Sequence, residues 1–157
     1  MVSYTLVYAF IIIGNALVFG NVYSSLVDAP NWGFDIPNSI AAARAYFKHK
    51  NPGSFFKIFG PASLGIGLLS IIVCWQPFPA SRWYLIFSFL MFAVLELFTV
   101  IYFFPRNDIM FEKDPLTDRK SLHKTWSEWN RTNWIRSLIS LAGVVAACLA
   151  LNAMYGR

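Results

Sequence analysis

Four long segments of the chain are almost free of charged residues. They cover residues 2–27, 58–81, 83–105 and 137–156, and only Glu96 interrupts them. A helix that rises about 1.5 Å per residue crosses a bilayer core of about 30 Å with some 20 apolar residues. Alternating β-barrel strands are absent from the pattern, so helices are the structure that can span a membrane here. The pattern predicts an all-α membrane protein, a four-transmembrane-helix bundle formed by a single domain over residues 1–157.

The same pattern places the spans at about residues 3–27, 57–78, 83–105 and 133–155. A short interfacial helix is predicted between spans one and two, over residues 37–50. Pro37 suits the first position of this helix, and Ile40, Ala43 and Phe47 recur at helical spacing. Such an amphipathic helix either covers the end of the bundle or acts as a lid over it.

The fourth span continues a longer helix. Thr117 or Asp118 is a candidate N-terminal cap, and no helix breaker follows before Gly143. We therefore expect a helical extension beyond the bilayer, over residues 118–132.

Composition and charge limit the classes of function. Hydrophobic residues make up 57% of the 157 residues and charged residues 13%, against about 25% charged in soluble domains. A water-soluble domain, a disordered chain and nucleic-acid binding are thereby excluded, despite a net charge of +5.

Eleven of the thirteen lysines and arginines lie on the side of the two long loops. The positive-inside rule then predicts cytoplasmic loops and both termini outside.

Polar residues inside the spans are the candidate site. Glu96 lies nine residues before Pro105, about 14 Å deep at helical rise. Arg136 enters the membrane from the same side, so we expect the two to pair, directly or through Asn133 or water. Intramembrane ionisable groups are candidates for function by default, although a purely structural ion pair explains them equally well.

One face of the long helix carries further polar and aromatic residues, which should face the other helices rather than lipid. That face holds His123, Trp126, Asn130 and Asn133, with Trp129 beside it. Asn15 adds a polar group at mid-membrane depth in span one. We take His123, Glu96 and Arg136 as candidate catalytic residues. The candidate ligand-binding residues are Asn107, Trp126, Trp129, Asn130, Asn133 and Asn15.

Metal and cofactor chemistry is not indicated by any motif. His49 and His123 match no compact ligand spacing, and Cys74 and Cys148 form no C-x-x-C pair. Glycine-rich phosphate loops and nucleophile motifs are missing as well. We predict no metal and no cofactor, so an enzyme here would use acid–base groups alone.

Three short motifs, in order along the chain, resemble a known family. Asn51-Pro52 precedes Phe55 and Phe56 before span two, Pro105-x-Asn107 ends span three, and Trp126-x-x-Trp129-Asn130 leads to Arg136. Together they resemble the anthrone oxygenase-like integral membrane family, whose bacterial members mostly carry a domain of unknown function. The chain departs from the family pattern at Arg106, where a small or apolar residue is common.

The resemblance implies a four-span bundle and, as in some fungal members, cofactor-independent oxidation of an anthrone to an anthraquinone. The residues that carry it over are Asn107, Trp129, Asn130 and Arg136. His123 is the candidate base, Trp126 and Trp129 would hold the ring, and the asparagines and Arg136 would stabilise the anion.

Two functions therefore remain open. One is a polar pocket at the loop-side mouth of the bundle that binds a small apolar or aromatic molecule, with anthrone oxygenase-like activity. The alternative is a non-catalytic membrane protein that binds lipid or serves as a subunit of a larger membrane complex. Membrane lipids are partners in either case, and the sequence leaves homo-oligomerisation open.

Overall fold

The computed structural model describes residues 1–112 and 118–156, and this part of the chain contains helices and no strand. Its α-helices are α1 (Val2–Tyr23), α2 (Ala29–Gly33), α3 (Asn38–Tyr46), α4 (Pro52–Cys74), α5 (Arg82–Phe98), α6 (Phe104–Asn107) and α7 (Arg119–Tyr155). Thr117, one of the two candidate caps, lies outside the described residues. Asp118 caps α7, because its side chain accepts hydrogen bonds from the backbone N–H groups of Lys120 and Ser121.

Four helical stretches are long and apolar enough to cross a membrane, which confirms the predicted four-helix membrane protein. Within the described residues they run over Val2–Gly33, Pro52–Cys74, Pro79–Glu112 and Arg119–Tyr155. The 37 residues of α7 span about 55 Å at helical rise. Since this length exceeds a bilayer core of about 30 Å, α7 is long enough to extend beyond the membrane.

The first and third spans continue past their predicted ends at residues 27 and 105. In each, a five-residue π-helical segment comes directly before a short α-helix whose second residue is proline. These segments are Ser24–Asp28, before the helix with Pro30, and Thr99–Phe103, before the helix with Pro105. Proline lacks an N–H and its ring clashes with the carbonyl four residues earlier, which normally ends or kinks a helix. The wider π turn accommodates the proline, so the helix continues into the loop side.

The four spanning helices pack as a closed square. The most extensive contacts join α1 to α4, α4 to α5, α5 to α7, and α7 back to α1. At the centre, the ring of Phe92 on α5 is fully buried against Gly14 of α1 and Gly143 of α7. The small residues let the helix backbones approach closely, as is typical of membrane bundles.

The α3 helix covers the loop end of the bundle. Ile40 is fully buried there, in an apolar cluster that includes Trp32, Phe103, Met110 and Trp129. The helix ends at Tyr46, four residues before the predicted end. Phe47 leaves the helical conformation but still packs edge-on against Trp32, at a ring-centroid distance of 6.3 Å.

The glycine packing at Phe92 yields a stability test. A Cβ atom at position 14 would lie 2.8 Å from Phe92 Cζ and 2.9 Å from Val144 Cγ2, whereas a Cβ at Gly65 meets nothing within 4 Å. We expect Gly14→Ala to lower the stability of the bundle by about 1–3 kcal/mol through overpacking. Gly65→Ala should leave it equal or raise it by up to about 1 kcal/mol, because alanine favours the helix.

Thermal unfolding of the two variants in detergent micelles checks this prediction. Equal melting temperatures for both alanine variants would contradict the proposed packing of Phe92 against Gly14.

Candidate ligand site

The guanidinium of Arg136 is buried inside the bundle, with only 3% of the residue exposed. Its Nε donates a hydrogen bond to Asn21 Oδ1 at 2.8 Å, and its Nη2 donates to the same oxygen. The rings of Phe56 and Phe103 lie 4.5 and 4.4 Å from the guanidinium carbon. One amide oxygen and two aromatic faces therefore take the place of water around this cation.

Glu96 lies near Arg136 but does not form the direct ion pair that the sequence suggested. No oxygen of Glu96 comes within 4 Å of the Arg136 nitrogens, and Arg136 is turned towards Asn21 instead. The Glu96 carboxylate rests against Gly60 of α4, where a Cβ atom would have no room. The two side chains therefore make separate contacts, Glu96 with Gly60 and Arg136 with Asn21.

A chain of buried hydrogen bonds ties Arg136 to its surroundings. Asn133 Nδ2 donates to the Asn21 carbonyl at 2.9 Å and to Ser25 Oγ at 2.8 Å. Asn21 Nδ2 in turn donates to Ser140 Oγ at 3.3 Å. The Asn21 side chain thus accepts from α7 with its oxygen and donates to α7 with its nitrogen, which locks α1 against α7.

A cavity of about 440 Å³ opens above Arg136 at the loop end of the bundle. This volume lies within the range of about 300–1,000 Å³ that is typical of small-molecule sites. The wall combines aromatic rings with charged and amide groups. The lining residues include Trp32, Phe47, Phe56, Phe104, Phe111, Trp129, Arg44, Lys48, Lys57, Arg136, Asp108, Glu112, Asn51 and Asn107.

Trp129 and Asn107 form one wall of this cavity. Trp129 Nε1 donates to Asn107 Oδ1 at 2.9 Å, which orients the amide. The Trp129 indole also packs edge-on against Trp32 at 5.2 Å and against Phe103 at 5.6 Å between ring centroids. Both side chains are therefore held in place before any ligand arrives.

The α3 helix is fastened over the cavity by Arg44. Its Nε donates to the Met110 carbonyl at 2.7 Å and its Nη2 to the Ile109 carbonyl at 3.1 Å. These bonds join α3 to the π-helical segment Asp108–Glu112. The two segments therefore form the upper part of the cavity wall together.

The structure brings three of the predicted site residues together at the cavity: Asn107, Trp129 and Arg136. Asn133 lies behind them in the buried hydrogen-bond chain, and Glu96 beside Gly60. Asn130 is half-buried, and its Oδ1 accepts no hydrogen bond from a described residue.

Other predicted residues lie elsewhere. Trp126 Nε1 donates to the Ala29 carbonyl at 2.8 Å and the ring packs on Gly33, so this tryptophan joins α7 to α2.

His123 is exposed on a shallow surface with Arg119, Lys120 and Lys124, outside the cavity. Asn15 is exposed on the outside of α1, where its amide donates to the Ile11 carbonyl of the same helix.

Sequence reasoning missed several residues of the cavity. Lys48 and Lys57 were counted only as evidence for topology, and Asp108 and Glu112 were not considered as site residues. Both lysines lie near sequence features described above. Lys48 follows Phe47, the last apolar residue of the predicted interfacial helix, and Lys57 follows the Asn51-Pro52 motif and its two phenylalanines. Their convergence depends on the approach of α3 to the Asp108–Glu112 segment, which no local pattern encodes.

Arg106, at which the chain departs from the family pattern, is part of a structural cluster. It forms an ion pair with Glu128 at 2.8 Å and lies 3.5 Å above the Tyr102 ring. It is not among the cavity-lining residues. In the described part of the chain, no group of three histidines, cysteines or acids is close enough to hold a metal ion.

Comparison with known proteins adds a family. A family model described as anthrone oxygenase matches residues 53–146. The matched stretch runs from the first turn of α4 into α7 and contains Asn107, Trp129 and Arg136. Asn21, the hydrogen-bond acceptor of Arg136, lies outside it. No curated protein and no solved structure matches the chain.

The Arg136–Asn21 contact can be tested with a matched pair of asparagines on α1. We expect Asn21→Ala to destabilise the protein by about 1.5–3 kcal/mol, because a buried guanidinium loses its acceptor. Asn15→Ala should change stability little, since its amide is exposed on the same helix. Asn21→Asp, which keeps an acceptor oxygen, should recover most of the loss.

Thermal unfolding in detergent measures all three variants. The assignment of Asn21 fails if Asn15→Ala and Asn21→Ala have the same effect.

Proposed function

The chain belongs to the anthrone oxygenase family, and on that premise we propose that it binds a flat aromatic molecule in the loop-side cavity and oxidises it with dioxygen. The observation that carries this proposal is the buried Arg136, which lines a cavity together with six aromatic side chains. Aromatic walls favour a planar ring system, and a desolvated cation favours an oxyanion on that ring.

The Arg136 guanidinium is suited to oxyanion stabilisation. Its Nε and Nη2 are committed to Asn21, whereas no described residue accepts from Nη1. The cation is already buried and oriented, so it needs no rearrangement as negative charge develops on a ligand. Asn21 holds this charge in place as a positioning residue.

The reaction itself needs only a base and dioxygen. An anthrone loses a proton from the carbon opposite its carbonyl, and the resulting charge spreads to the carbonyl oxygen. Dioxygen bonds to that carbon and takes up a proton to form a hydroperoxide. Loss of the second hydrogen from the carbon, together with cleavage of the O–O bond, then yields the quinone and one water. Dioxygen is the sole oxidant, and one of its atoms stays in the product.

Asp108 is the candidate base. It is half-buried and lines the cavity next to Asn107, whereas Glu112 is more exposed. His123 was the base expected from the sequence, but it lies on the outer surface. A general base must come within hydrogen-bond reach of the proton it removes, directly or through one water.

The activity can be tested with emodin anthrone as substrate. We expect purified protein in detergent to form the quinone faster than buffer and empty micelles do, followed by its absorbance. Asp108→Asn should reduce kcat by about 100-fold or more, because a positioned base contributes about that factor. His123→Gln should retain the activity of the unmodified chain.

The two variants show whether Asp108 or His123 is the base. Loss of activity in His123→Gln but not in Asp108→Asn would return the role to His123. If the unmodified chain forms quinone no faster than buffer and empty micelles do, the proposed oxygenase activity is wrong. The non-catalytic, lipid-binding alternative is then favoured.

We further propose that the cavity faces the cytoplasm. Eleven of the thirteen basic residues lie on its side of the chain, and such an excess marks cytoplasmic loops. A fluorescent protein that folds only in the cytoplasm should therefore stay dark when fused to the C-terminus. The same reporter inserted between Lys50 and Asn51 should fluoresce. The reverse result would place the cavity outside.

A further inference from the structure

The charges along the cavity wall are unevenly distributed. Four basic residues line it, Arg44, Lys48, Lys57 and Arg136, against two acids, Asp108 and Glu112. The two acids come from one π-helical segment, whereas three of the four cations come from residues 44–57. A bound molecule therefore meets a positive side and a negative side, and the positive charge is in excess.

Two of the four cations already have partners within the protein. Arg44 donates to the carbonyls of Ile109 and Met110, and Arg136 donates to Asn21. Lys48 and Lys57 are exposed, and neither forms an ion pair with a described residue. Apart from Nη1 of Arg136 at the base of the cavity, the positive charge that remains available to a ligand therefore lies at Lys48 and Lys57.

These two lysines stand on either side of the start of α4. Lys48 follows the end of α3, and Lys57 lies on the second turn of α4. Asn51, Pro52 and Gly53, which begin α4, also line the cavity. The positive end of the α4 dipole adds to the charge of the two lysines at this place.

We propose that Lys48 and Lys57 form a subsite at the mouth of the cavity for an acidic substituent, a carboxylate, on the aromatic ligand. The inference rests on the proposed ligand site and adds a substrate class to it. The ring system lies among the tryptophans and phenylalanines, its oxyanion faces the deep Arg136, and its acidic group remains at the exposed lysines. Lysine suits such a mouth because its ammonium stays hydrated while it attracts an anion.

The experiment compares two stable quinones that differ in one charge. Anthraquinone-2-carboxylate and the uncharged anthraquinone-2-carboxamide are titrated into purified protein, and binding is followed by quenching of tryptophan fluorescence. Trp32 and Trp129 lie in the cavity wall and serve as reporters. Empty micelles and free tryptophan correct for partitioning and absorbance.

We expect the carboxylate to bind more tightly than the carboxamide to the unmodified chain. The double variant Lys48→Gln/Lys57→Gln should weaken carboxylate binding on the order of tenfold, the effect of two exposed ion pairs. Carboxamide binding should stay unchanged in that variant, which shows that the cavity is intact. Raising the salt concentration should reduce the preference as well.

Lys50→Gln is the matched control, since Lys50 is an exposed lysine of the same segment that does not line the cavity. Equal affinity of the two quinones, or an equal loss in Lys50→Gln, would overturn the lysine subsite and leave the aromatic site standing. Failure of both quinones to bind the unmodified chain would overturn the aromatic site itself, and the subsite with it.

Discussion

The structure depends on the solvation of one buried charge. A guanidinium within an apolar bundle is costly unless the protein replaces its water. Arg136 on α7 obtains this replacement from Asn21 on α1, Phe56 on α4 and Phe103 after α5. All four spanning stretches thus contribute to one side chain, and their relative positions at the loop end of the bundle are coupled to it.

This arrangement also defines the floor of the cavity. The groups that stabilise Arg136 leave it at the base of a space of about 440 Å³, with aromatic walls above it. A cation that is held rigidly in a poorly hydrated place interacts with a developing anion more strongly than the same cation in water. The proposed oxyanion stabilisation therefore depends on the same feature that holds the bundle together at this end.

Individual residues show how much of the candidate site could be predicted from the sequence. Asn107, Trp129 and Arg136 were expected to meet, and they do so at the cavity, because motifs at the ends of adjacent spans converge on the same membrane side. Asn15 and His123 were expected at the same site but lie on outer surfaces. The buried face of α1 runs through Gly14 and Leu17 and that of α7 through Leu122 and Thr125, so both residues lie beside the buried face. Which face a helix buries depends on its neighbours, and the periodicity of polar residues alone does not describe them.

The sequence by itself determined the four spans and the side of the bundle on which polar chemistry gathers, because membrane insertion depends on runs of apolar residues that can be counted. Only the tertiary structure decided which partner each polar group obtained. Arg136 was expected to pair with Glu96 directly or through Asn133 or water, but its own hydrogen bonds go to Asn21, more than a hundred positions earlier in the chain. Helix packing turns the guanidinium towards α1, while Gly60 makes room for the carboxylate beside α4. Likewise, Lys48, Lys57 and Asp108 share one cavity through the approach of two distant segments, which Arg44 holds together.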